Sequence, residues 1–75
     1  MGTGDIVIHI NEDLNEDRIH ELERELGSDP GILCACMHEK THHLLIVDFD
    51  PDQVQPSSIV HSIRHRGLHA QMIGL

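Results

Sequence analysis

An α+β sandwich, ordered strand–helix–strand–strand–helix–strand, is the fold class that this sequence of 75 residues predicts. Three observations carry it. Apolar residues alternate in the first and third strand segments, apolar stripes at helical spacing follow each of them, and glycine–proline clusters separate the pieces.

Each element has its own justification. From Asp5 to Ile10, the residues Ile6, Ile8 and Ile10 alternate with Val7 and His9, the period of a half-buried strand. The loop that follows is acidic, and Asp13 with Glu16 three residues later predicts a capping box in which aspartate replaces the hydroxyl residue. Ile19, Leu22 and Leu26 then fall on one helical stripe, with Glu16, Asp17, His20, Glu21, Glu23 and Arg24 off it. Gly27-Ser28-Asp29-Pro30-Gly31 ends that helix and turns the chain.

The run Ile32 to His38 is the second strand, bounded by this turn and by Glu39-Lys40-Thr41. In the third, His43, Leu45, Val47 and Phe49 alternate with His42, Leu44, Ile46 and Asp48, which makes a short hairpin. Asp50-Pro51-Asp52 stops it. Pro56 opens the second helix at the first position, where a missing N–H costs nothing, and Ile59, Val60 and Ile63 supply the buried face. Gly67 is placed as the C-terminal cap, and Leu68 to Leu75 closes as a strand. One hairpin between two strand–helix units gives the split βαβ, ferredoxin-like topology: a four-stranded antiparallel sheet with two helices on one face, as a single domain over 1–75.

Composition bounds the function. Phe49 is the single aromatic residue, so the core is aliphatic and the sheet lacks the stacking platform of an RNA-binding surface. Thirteen acids against five bases give a formal charge of −8, which disfavours nucleic acid. The eight histidines bear on that charge, because protonating all of them would bring it to zero. No apolar run reaches the roughly 18 residues of a membrane span. The opening Met1-Gly2-Thr3-Gly4-Asp5 lacks the basic and apolar regions of a signal peptide, so a cytoplasmic setting with reduced thiols is expected. No serine–histidine–acid set or glycine-rich phosphate loop is recognisable, and the expectation is a protein that is not an enzyme.

The stripe Ile19, Leu22, Leu26, the turn Pro30-Gly31-Ile32, the stretch Val47-Asp48-Phe49-Asp50-Pro51-Asp52-Gln53-Val54 and the ending Ile59-Val60, Ile63, Gly67-Leu68, Ala70, Ile73 occur together in an order and spacing that resemble a heavy-metal-associated domain. The likeness covers nearly the whole chain. It implies the ferredoxin-like fold and metal-ion binding in trafficking or homeostasis. In that family the first loop carries Cys-x-x-Cys, whose thiolates hold Cu(I) almost linearly. Here that loop reads Ile10-Asn11-Glu12-Asp13-Leu14-Asn15, and alignment puts Asn15 and Arg18 at the thiol positions. Neither supplies a soft ligand, so no binding residue transfers from the family.

The cysteines lie elsewhere, in Cys34-Ala35-Cys36-Met37-His38-Glu39-Lys40-Thr41-His42-His43. Residues two apart on a strand share a face, so Cys34, Cys36 and His38 are expected to point the same way. The registration that the family resemblance implies turns Ala35 and Met37 to the helices and leaves those three, with His42, on the open side of the sheet. A hairpin that pairs His38 with His42 would add a second imidazole. Two thiolates with two imidazoles suit Zn(II), and the thiolates alone suit Cu(I). Against this, a rise of about 3.3 Å per residue sets side chains two apart about 6.6 Å along the strand, so the strand must bend, bulge or share its metal with a second chain. The competing reading makes both cysteines small apolar strand residues, with the histidines as solubilising surface.

Other clusters are weaker. His61 and His65 share a face of the second helix, beside Arg64 and Arg66. His9 and His69 are expected on the open sheet face, and His20 against a glutamate. Glu12, Asp13, Glu16 and Asp17 sit at a helix start, where acids interact favourably with the dipole; they would also suit a basic protein partner. The leading function is therefore a metal-ion-binding module with Cys34, Cys36, His38 and His42 as candidate ligands. The alternative is a metal-free interaction or regulatory module that uses the open face for homodimerisation or partner docking.

Overall fold

The computed structural model describes residues 4–74, so the ends of the sequence at Met1–Thr3 and at Leu75 lie outside the described residues. The elements are β1 (Gly4–Ile10), α1 (Glu16–Gly27), β2 (Ile32–Met37), β3 (Leu44–Phe49), α2 (Pro56–His65) and β4 (Ala70–Gly74). All strand pairs are antiparallel and the sheet order is β2-β3-β1-β4. This is the ferredoxin-like βαββαβ arrangement that the sequence predicts.

The alternation in β1 does the packing expected of it. Ile6, Ile8 and Ile10 have no exposed surface, and neither do Leu45 and Val47 opposite them. Ile19, Leu22 and Leu26 from α1 and Ile59, Val60 and Ile63 from α2 bury against this face, with Ile32, Met37, Phe49, Leu68 and Ala70 around them. Burying an aliphatic side chain of this size contributes about 1.5–3 kcal/mol, which is how a core with one aromatic ring can hold a domain this small.

The helix starts differ from expectation. The cap of α1 is Asn15, whose Oδ1 accepts from the Arg18 backbone N–H at 2.8 Å. Asp13 makes no capping box; its carboxylate lies 3.0 Å from His43 Nε2 instead. Pro56 does begin α2, after Gln55, whose side chain makes no capping bond. Two ties hold α2 in place: Arg64 Nε donates to the Ala70 carbonyl at 2.8 Å, and Arg66 pairs with Glu25 of α1 at 2.6 Å.

The uncovered face of the sheet follows from the register. Cys34, Asp48 and Asp5 form one row across three strands, and Cys36, Ile46 and Val7 the next. Leu44, His9 and Gln71 form a third. Among these, Ile46 is 41% exposed, and Leu33 and Ile73 at the sheet margins are 58% and 51% exposed.

Candidate functional site

Cys34 and Cys36 lie on β2, an edge strand, and both are exposed free thiols. Just before them the register slips between Ile32 and Cys34, leaving Leu33 turned out to solvent. Such a bulge bends the strand and increases its twist. Past the bulge the ladder is regular, and the two side chains lean together to put the sulfurs 3.2 Å apart, about half of the along-strand spacing of the residues. The geometric obstacle anticipated from the sequence is absent.

The separation has a chemical meaning. It exceeds the roughly 2.05 Å of a disulfide, so the pair is two thiols in contact. Two metal–sulfur bonds of about 2.3 Å at a tetrahedral angle hold sulfurs about 3.8 Å apart, and a straighter arrangement holds them further. An opening of about half an ångström or more, by rotation of exposed side chains, would therefore admit an ion. In the free protein the Cys36 thiol is pushed up to about 11 from its ordinary value near 9.0. The hydrogen bond to Cys34 is the largest cause, followed by partial desolvation and by the charges of Cys34, Glu23 and Asp48. Cys36 therefore keeps its proton more tightly than an ordinary thiol, and a metal ion would have to displace it.

The histidines do not complete this pair. His38 continues the ladder, its backbone N–H donating to the Leu44 carbonyl at 2.7 Å, while its ring Nδ1 accepts from the Lys40 N–H at 3.2 Å. His42 takes the left-handed conformation, φ 56°, in the hairpin turn, and its N–H donates to the His38 carbonyl at 3.1 Å. Its side chain lines a groove with Glu16, Ile19, His20, Glu23, Met37 and Glu39, on the α1 side and not on the open face. This corrects the expectation that His42 points outward beside the thiols. A left-handed turn residue breaks the two-residue alternation on which that expectation rested. Among the described residues, no group of three or more histidine, cysteine or acidic side chains stands ready to hold one ion.

The first loop is closed by other bonds. Besides the Asn15 cap, Glu12 receives both the backbone N–H of His69 at 2.8 Å and its ring Nδ1 at 2.5 Å, contacts that hold the Glu12 carboxyl below its usual range. His69 is therefore at the loop, not on the open face where the strand pattern put it. His43 bridges Asp13 and the Ile10 carbonyl, the latter at 2.7 Å, and stacks on His9 with ring centroids 5.8 Å apart. Both acids of the loop, Glu12 and Asp13, are thus engaged by imidazoles, while Glu16 and Asp17 stand in the first turn of α1. His20 Nδ1 lies 3.8 Å from Glu23 Oε1, as its surroundings predict.

Two features escaped sequence reading. Glu23 reaches from α1 to accept the Met37 backbone N–H at 2.8 Å, clamping β2 beside the cysteines. Asp5 and Asp48 face each other directly across β1 and β3, and their hydrogen bond raises the Asp48 carboxyl above its ordinary value. The second was legible in principle, since both acids fall on the outward parity of adjacent strands.

No helix of the described residues is long and apolar enough to cross a membrane. No protein-family model matches the sequence, and no curated protein matches it at a significant level. Solved structures do. A copper binding domain from HMA7, a P-type ATPase, superposes with a TM-score of 0.82 at 20% identity, over 93% of this chain and 93% of that one. The N-terminal domain of a potential copper-translocating P-type ATPase from Bacillus subtilis, in its Cu(I)-loaded state, gives 0.85 at 15% identity, over 97% and 90%. The copper form of a single-substitution variant of CopA from Bacillus subtilis gives 0.71 at 19%, over 92% and 90%. At such identities the likeness concerns the backbone, and on it the chain has the heavy-metal-associated, ferredoxin-like fold.

Proposed function

We propose that this chain is a non-enzymatic, soft-metal-ion-binding module of trafficking or homeostasis, whose thiols sit on the edge strand β2 in place of the first loop. The single observation that carries the reading is the pair of exposed sulfurs, Cys34 and Cys36, 3.2 Å apart. Its support is chemical: two adjacent thiolates are a soft donor set, and such sets favour Cu(I). The solved structures of the same fold include a Cu(I)-loaded domain, which favours copper as the cargo. Zn(II) asks for more donors; His38, two residues beyond Cys36, and His42 past the turn are the imidazoles that hairpin movement would add. The test is mass spectrometry under non-denaturing conditions, on the reduced protein with and without Cu(I). One ion per chain, lost in Cys36→Ser, is the expected result; no uptake refutes it.

A second reading is favoured by the exposed apolar residues Leu33 and Ile46 beside the thiols and Ile73 on the opposite edge strand. In it the module is metal-free and uses the open face to dock a second copy or another protein. The acids Glu16 and Asp17, in the first turn of α1, would suit a basic partner in either reading.

A further inference from the structure

The histidines of this chain are not alike in what they touch. His20, His43 and His69 each lie against a carboxylate, of Glu23, Asp13 and Glu12 respectively. His61 and His65 lie against each other, with ring centroids 6.3 Å apart and planes inclined by 27°. Among the described residues no carboxylate comes within ion-pair distance of either, and α2, reading PSSIVHSIRH, carries no acid at all. Ordinary ion pairing therefore does not account for them.

Their placement follows from the helix. Ile59, Val60 and Ile63 turn into the core, which leaves His61 and His65 exposed, four residues apart on the outer face. They share a shallow surface groove with Ser62 and Arg66. The neighbouring guanidinium groups, which would repel a cation, are committed elsewhere. Arg64 is drawn to the Ala70 carbonyl and Arg66 is neutralised by Glu25.

We infer that His61 and His65 form a bidentate imidazole site for a borderline divalent ion of the Zn(II), Ni(II) or Cu(II) class. The spacing is that of the two helical histidines in zinc-binding motifs, where one turn of helix brings both rings to one ion. Metal–nitrogen bonds of about 2.1 Å require the two donor nitrogens within about 4.2 Å, which rotation of exposed rings already stacked side by side can provide. Two protein ligands leave the remaining positions to water, so the ion exchanges readily. The helices cover one face of the sheet and the thiols look out from the other, so this site stands or falls apart from the thiol pair.

The experiment uses Zn(II) alone, added to the full chain carrying Cys34→Ser and Cys36→Ser, which silences the sulfur donors without touching the core. Imidazole nitrogen resonances are followed by NMR. The expected result is that the His61 and His65 signals shift together along one saturation curve. His61→Ala and His65→Ala should each weaken binding by at least the loss seen for an outer-shell partner, on the order of 10–100-fold. Separate curves for the two rings, single variants within about two-fold of the parent, or shifts confined to His20, His43 and His69 would each overturn the site.

Discussion

Asn15 and Arg18, the two positions that the sequence resemblance sets against the paired thiols of heavy-metal-associated domains, are joined to each other by a helix cap: Asn15 Oδ1 accepts the Arg18 N–H at 2.8 Å. A side chain that satisfies an orphan donor of α1 stands at the first of the two. Replacing Asn15 with alanine should therefore cost stability of about 1 kcal/mol. For a domain of this size that lowers the thermal midpoint by about 4–8 °C, readable by circular dichroism. In the same variant Cu(I) uptake should be unchanged. A fall in uptake with stability intact would return the chemistry to the loop.

Two glycines give opposite forecasts. Gly67 follows α2 with φ +86°, a conformation in which a side chain costs about 1–2 kcal/mol. Gly27, the last helical residue of α1, has normal φ and open space where a Cβ would stand. Gly67→Ala should thus destabilise, while Gly27→Ala should stabilise by about 0.4–1 kcal/mol through the unfolded chain. Denaturant midpoints compare them directly, and equal midpoints would contradict the account of both turns.

How far the sequence could be read follows from which forces were local. Period-two alternation in β1 and β3, period-3.6 stripes in both helices and the Pro56 start are local patterns, and each held. What was not legible depended on geometry between elements. A bulge at Leu33 has no composition signal, and the 3.2 Å approach of the Cys34 and Cys36 sulfurs is set by side-chain conformation rather than by spacing along the strand. The left-handed His42 reverses a parity argument at the very turn where strand alternation ends. The clamp from Glu23 to Met37 spans 14 residues of sequence, and nothing in the spacing of either reports it.

The carboxylates Asp5 and Asp48 oppose each other across the open face, and like charges directly opposite destabilise a sheet. The raised Asp48 carboxyl means that the folded chain keeps a proton that the unfolded chain releases. Stability from this pair is therefore present at low pH and declines as pH rises through the carboxylate range. Asp48→Asn should raise the thermal midpoint at neutral pH and remove that part of the dependence. A midpoint lowered at neutral pH would show that Asp48 stabilises the fold in its charged form.

The thiol pair supplies the prediction that bears most on function. In the metal-free protein Cys36 should ionise near 11, read by thiolate absorbance, and replacing Cys34 with alanine should bring it down towards the ordinary thiol range by removing the largest cause. Between that range and about 11 the folded chain holds a proton the unfolded one has lost, so folding stability falls as pH rises through the window. Metal binding runs the other way. An ion must displace the protons of its thiol ligands, so affinity for Cu(I) strengthens as pH rises and weakens as it falls. Competition against a chelator of known affinity, for the parent, Cys36→Ser and His61→Ala proteins, separates the contributions. The serine variant should lose tight binding, because its hydroxyl stays protonated and hard. The His61 variant should keep the parent's Cu(I) affinity, since α2 lies across the sheet from the thiols. Equal affinity in the parent and Cys36→Ser proteins would eliminate the edge-strand site and leave the open face, with Leu33, Ile46 and Ile73, as the working surface of a metal-free module.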